Sequence, residues 1–172
     1  MTYAFYIASI IAIAATVRVI TGAHAVHALL YLVVSLLASA VIFLILGAPF
    51  AAALEVIVYA GAIMVLFVFV VMMLSSGPRS VQREKRWLAP RQWVGPAVLT
   101  AILLVELTWL LLKGNVGLFA VSQVGPGDVG RSLFGPYVLG VEMASVLLLA
   151  GLIGAYHLGR RLDQKKKEGN EA

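Results

Sequence analysis

The sequence predicts an all-α integral membrane protein with five transmembrane helices, its N-terminus outside and its C-terminus in the cytoplasm. Three observations predict it. Of the 172 residues, 62% are hydrophobic and only 12% charged, against roughly half and a quarter in soluble domains, and the mean hydropathy is +0.99. The apolar residues gather into five unbroken runs, each close to the 20 or so residues that cross about 30 Å of hydrocarbon; a β-barrel would show short alternating strands instead. Counted by alternate sides of these runs, eleven of the thirteen Lys and Arg residues fall on one side and two, Lys113 and Arg131, on the other, and the basic side is the cytoplasmic one. A soluble globular domain is thereby excluded. The absence of cysteine further excludes disulfides, thiolate metal sites and iron-sulfur ligation by this chain.

The whole chain, 1–172, reads as a single membrane domain. The first run is Thr2 to Val19. Ala23-His24-Ala25 resembles a signal-peptide cleavage site, but no Lys or Arg precedes the apolar stretch and Arg18 sits between that stretch and the site, so it is read as a retained helix. The second run, His27 to Leu46, is joined to the third, Ala51 to Leu74, by Gly47-Ala48-Pro49-Phe50, a connection so short that the two helices are antiparallel neighbours. A basic cytoplasmic loop, 75–92, follows. Its stretch Arg79 to Arg86 and the lysines of the tail have the charge of a nucleic-acid site, yet both lie beside membrane ends with Trp87 and Trp93 as interface anchors, so topology and contact with anionic phospholipid account for them and no nucleic acid is expected. The fourth run is Trp93 to Leu112, the outer loop 113–135 carries six glycines, and the fifth run, Pro136 to His157, leads into a basic tail, 158–172.

Against this apolar background three glutamates stand out, because an ionised side chain at mid-bilayer costs about 3 kcal/mol or more. Glu55 lies about 6 Å inside the third run at 1.5 Å per residue; it is either a first-turn acid favouring the helix dipole or one end of a proton path with Tyr59, which is four residues on along the same face. Glu142, about 9 Å inside the fifth run, has Ser145 three residues away; it is either a neutral, hydrogen-bonded acid or a proton carrier. Glu106, with Thr108 and Trp109 nearby in sequence, is a proton-route candidate, an acid paired with a cation on another subunit, or one in a wet crevice. No Lys or Arg lies within the spans apart from Arg18 near an end, which points to partners on other chains. His24 and His27 give two imidazoles without a third ligand, and no metal site is expected. Gly61 sits in the middle of the third run, where it serves either close helix packing or a π-bulge that accommodates one extra residue.

These residues carry a resemblance. LEVIVYAGAIMVLFVFVVMML, from Leu54 to Leu74, resembles the third helix of the subunit J family of bacterial NADH-quinone oxidoreductase, respiratory complex I, to which mitochondrial NADH dehydrogenase chain 6 also belongs. VHALLYLVVSL, from Val26, and LFGPYVLGVEMASVLLLAGL, from Leu133, are similar to that family's second and fifth helices.

The resemblance implies a core subunit of the membrane arm near the junction with the quinone-reducing arm, in the bacterial plasma membrane. It would be part of a proton-translocating enzyme without bearing a catalytic redox centre. It implies FMN, iron-sulfur clusters and quinone on other subunits and none on this chain, and partners among the small membrane-arm subunits. It also implies a π-bulge around Tyr59 to Val65 that converts between π and α forms and opens a water-filled proton route. By the motif, Glu55, Tyr59, Gly61, Met64, Val65 and Phe67 match, as does Glu142 in the fifth helix; Glu106 is not part of the family pattern. Two rivals stand beside the gating reading. One is a subunit that only fills and seals the membrane arm. The other is an independent proton channel or transporter, against which stand the lack of an internal repeat and of paired intramembrane charges.

Overall fold

A computed structural model gives the fold and describes residues 2–22, 25–74, 90–112 and 123–168; Trp87, His24 and most of the basic loop lie outside them. Among the described residues all regular structure is helical. In chain order the elements are α1 (Thr2–Thr21), α2 (Ala25–Ile45), α3 (Pro49–Leu54), the π-helical segment π1 (Glu55–Ile63), α4 (Met64–Leu74), α5 (Pro90–Leu112), α6 (Pro126–Leu133) and α7 (Val138–Glu168). The segments α3, π1 and α4 run on as one third span. Among the described residues five helices are long and apolar enough to cross a membrane: Thr2–Thr21, Ala25–Ile45, Pro49–Met73, Trp93–Leu112 and Val138–Gly159. The all-α, five-span class follows, with a π segment in the third span. Two features differ from the sequence expectation: α6 forms inside the stretch read as an outer loop, and α7 continues into the stretch read as the basic tail.

The chain divides into two compact units, Met1–Gly125 and Pro126–Ala172. In the first, α2 is the central helix, packed against α1, every part of the third span and α5. The α1–α2 contact is built from small residues: Ala4, Ala8, Ile11 and Ala15 are buried on α1, facing Val34, Ala38 and Val41 of α2 in one cluster. Small side chains let two backbones approach closely where lipid supplies no hydrophobic drive. The Thr16 and Ser35 hydroxyls meet at 2.8 Å across this contact, and Ser35 also donates to the Ala12 carbonyl at 3.3 Å. A double-mutant cycle of Thr16→Val and Ser35→Ala, read by thermal unfolding in detergent micelles, is expected to give a coupling of about 0.6 kcal/mol and no more than about 1.7, the range of interhelical hydrogen bonds in membranes.

The turn from α2 into the third span is fixed by Gly47, whose φ of 85° is in the left-handed region. The Gly47 N–H reaches the Leu44 carbonyl at 3.2 Å and the Ala48 N–H the Phe43 carbonyl at 2.9 Å, the paired bonds of a Schellman cap. Pro49 then opens α3 at a position where its missing N–H costs nothing. Within the stretch read as the outer loop, the Val124 N–H donates to the Gly47 carbonyl of the same turn at 3.0 Å. On α5, Gly95 lies directly under the Tyr31 hydroxyl of α2, which fills the place a Cβ would take; any larger residue there would have to displace the tip of this tyrosine.

In the second unit, α6 begins at Pro126 with Asp128 in its first turn and Arg131 in its last, and packs on α7. The apolar residues of α7, among them Leu139, Met143, Leu147 and Ile153, are exposed.

Candidate functional site

The third span is the irregular element. Its first turn, PFAAAL, is ordinary α-helix with Ala52 buried. At Glu55 the backbone widens and stays π-helical for nine residues, through Ile63, whereas π-helices occur mostly as single turns inside α-helices. The exit is at Met64, whose N–H reaches the Tyr59 carbonyl five residues back as well as that of Gly61. The expected bulge, around Tyr59 to Val65, is therefore displaced toward the N-terminus: Tyr59 and Gly61 lie in π1, while Met64, Val65 and Phe67 lie in α4. The packing gives the reason. Met64 is buried to 3% exposure, and α geometry resumes where this long side chain is held. Gly61 is inside the wide turn, and a Cβ there would stand only 3.2 Å from the Val56 carbonyl oxygen, so the carbonyl would have to give by a few tenths of an ångström.

Beside the wide turn is open space. A cavity of about 540 Å³ separates α2, α3–π1 and α5, bordered by Val41 and Leu44, by Ala52, Val56 and Ile57, and by Leu103. Side chains on this face of the third span can move without displacing a close-packed neighbour. Apart from Ala52 and Met64 the span is largely exposed: Tyr59 is 53%, Val65 64% and Phe67 51% exposed.

The three acids have different surroundings. Glu55 opens π1 and is half-buried; six residues beyond Pro49, it is about 9 Å from the Gly47 end of the span. Tyr59 follows it within the same wide segment. Glu142 is on an exposed face of α7, and the Ser145 hydroxyl donates to its backbone carbonyl at 2.7 Å rather than to its carboxyl group. Glu106 is enclosed within the first unit, 8% exposed, while the nearby Thr108 hydroxyl is committed to the Leu104 carbonyl at 2.7 Å. Sequence reasoning had no means of separating an acid facing outward from one facing the core. It also missed Val56 and Ile57, which border the cavity and whose apolar character gives no signal in a span that is apolar throughout.

The chain was compared with known proteins. Residues 15–158 match the family model described as NADH-ubiquinone/plastoquinone oxidoreductase chain 6. The chain is 58% identical over 162 residues to a Pseudomonas aeruginosa protein named NADH-quinone oxidoreductase subunit J, covering 94% of this chain and 98% of that one. It is 57% identical to a protein of the same name from Escherichia coli K12, over 93% of this chain and 87% of the relative. A Buchnera aphidicola protein, again of that name, is 46% identical over 93% of this chain and 98% of its own.

Proposed function

The chain belongs to the NADH-ubiquinone/plastoquinone oxidoreductase chain 6 family, and from that membership we propose that it is a core membrane-arm subunit of a proton-translocating NADH-quinone oxidoreductase whose third span gates a proton route. The observation that carries the gate is the nine-residue π segment ending at Met64 beside a cavity of about 540 Å³. Recovering α geometry removes one residue from the wide turn and rotates everything beyond it by about 100°, one residue's share of an α-turn. The buried place of Met64 then passes to a neighbour, and both Ile63 and Val65 are apolar. Either register thus presents an apolar side chain to α2, so the two packings are close in energy, as a switch requires.

In this reading Glu55 and Tyr59, at the start of the wide turn, hold and pass the proton when the turn admits water, and Glu142 on α7 faces the continuation of the route in a neighbouring subunit. The chain has no redox role of its own: FMN, iron-sulfur clusters and quinone belong to other subunits. The exposed faces of the third span and of α7 suit contact with the small membrane-arm subunits near the quinone-arm junction, with phospholipid covering the remainder. The assembly sits in the bacterial plasma membrane with the basic loop and tail in the cytoplasm, in keeping with the charge asymmetry.

Glu55→Gln keeps size and polarity but cannot ionise, and Tyr59→Phe removes only a hydroxyl. Both are expected to lower NADH-driven proton uptake into inverted membrane vesicles several-fold with normal assembly, Glu55→Gln the more. A subunit that merely seals the membrane arm predicts unchanged pumping in both.

A further inference from the structure

We propose that Glu106 is a water-binding, proton-holding site within the core of this chain, its carboxylic acid group hydrogen-bonded to water enclosed among α1, α2 and α5. The site is distinct from the third-span gate and stands whether or not that span switches. Three observations place it. Glu106 is on the same face of α5 as Leu103 and Leu110, three residues before and four after it, and both leucines belong to the buried cluster that α1 and α2 build from Ala4, Ala8, Ile11, Val34, Ala38 and Val41. The side chain is 8% exposed, so it faces the chain's own helices. Both carboxyl oxygens are buried and make no hydrogen bond to any group of the protein.

A lone carboxylate in such a place would be very costly, and a buried acid without a cation takes up a proton instead. The charged residue of α1 does not supply the cation. Arg18 is exposed and ten residues from Ala8, an axial distance of about 15 Å. Glu106 and Ala8 are each six residues from the Gly47 end of their helices, so they share a level.

A neutral acid still has an O–H to donate and a carbonyl to satisfy, and a buried water commonly makes two to four hydrogen bonds to such groups. Near this level Ala8 and Ala38 of the α1–α2 contact are fully buried. The hydroxyls next to them in sequence, on Ser9 and Ser39, donate to the Phe5 carbonyl at 2.7 Å and the Ser35 carbonyl at 3.1 Å, so neither serves the Glu106 carboxyl group.

The test is a cryo-electron microscopy map of the intact complex at a resolution that shows waters, together with infrared difference spectra of wild type and Glu106→Gln. The expected results are water density at hydrogen-bond distance from a Glu106 carboxyl oxygen and complete loss, in the variant, of a deuterium-sensitive carbonyl stretch of a protonated acid. A dry site, a basic side chain of another subunit against Glu106, or loss of ionised-carboxylate bands in the variant would overturn the proposal. If Glu106→Gln does not assemble, the wild-type map decides alone.

Discussion

Gly61→Val is expected to reduce NADH-driven proton pumping about tenfold or more, with the complex assembled and still oxidising NADH with an artificial electron acceptor. A Cβ at this position stands 3.2 Å from the Val56 carbonyl oxygen in the π form, and valine adds two methyl groups with restricted χ1. Overpacking of this kind costs about 1–3 kcal/mol. At about 1.4 kcal/mol per tenfold, the ratio of π to α forms falls by roughly five- to more than a hundredfold, which turns a near-balanced span into a mainly α-helical one. Gly61→Ala is expected to be intermediate, since the carbonyl need give by only a few tenths of an ångström, while alanine favours an α-helix over glycine by about 1 kcal/mol in water. The order Gly, Ala, Val in falling pumping, with equal complex on native gels, separates a biased switch from a folding defect.

Gly95→Val acts through assembly. The Tyr31 hydroxyl occupies the volume of the missing Cβ, and Tyr31 packs against the α1–α2–α5 core. A side chain at position 95 displaces the Tyr31 ring from its place against this core, with an overpacking cost of about 1–3 kcal/mol, and the amount of assembled complex is expected to fall several-fold. Tyr31→Phe removes the oxygen that meets the new side chain and is expected to restore part of the loss in the double variant. No rescue would mean that the two helices do not depend on this contact. The readout is complex abundance in membranes, measured at equal expression.

The residues legible from sequence were those whose signal is local. The spans follow from run length alone, and Gly61 is conspicuous because glycine in mid-helix needs a reason. The extent of the wide turn was not legible: π and α backbones have the same composition, and the exit at Met64 depends on that side chain being held against another helix. The helix Pro126–Leu133 carried its own signals, Pro126 at the first position, Asp128 in the first turn and Arg131 in the last. They were outweighed by the glycines around them. Glu106 shows the limit most clearly. Its chemistry is obvious in the sequence, but its partners were sought on other subunits, and only packing reveals that Leu103 and Leu110 carry it into the core. Gly95 gave no hint, because the tyrosine that requires it is far away in the chain and meets it only through tertiary contact.

The central claim is that the third span has two registers during turnover. It is tested most directly by cryo-electron microscopy of the intact complex frozen while oxidising NADH, with particles classified on the third span. The account predicts two classes, one π-helical over Glu55–Ile63 and one α-helical throughout, in which Val65 and Phe67 are rotated by about 100°. A π segment in every class, with Met64 always in its buried place, would contradict it.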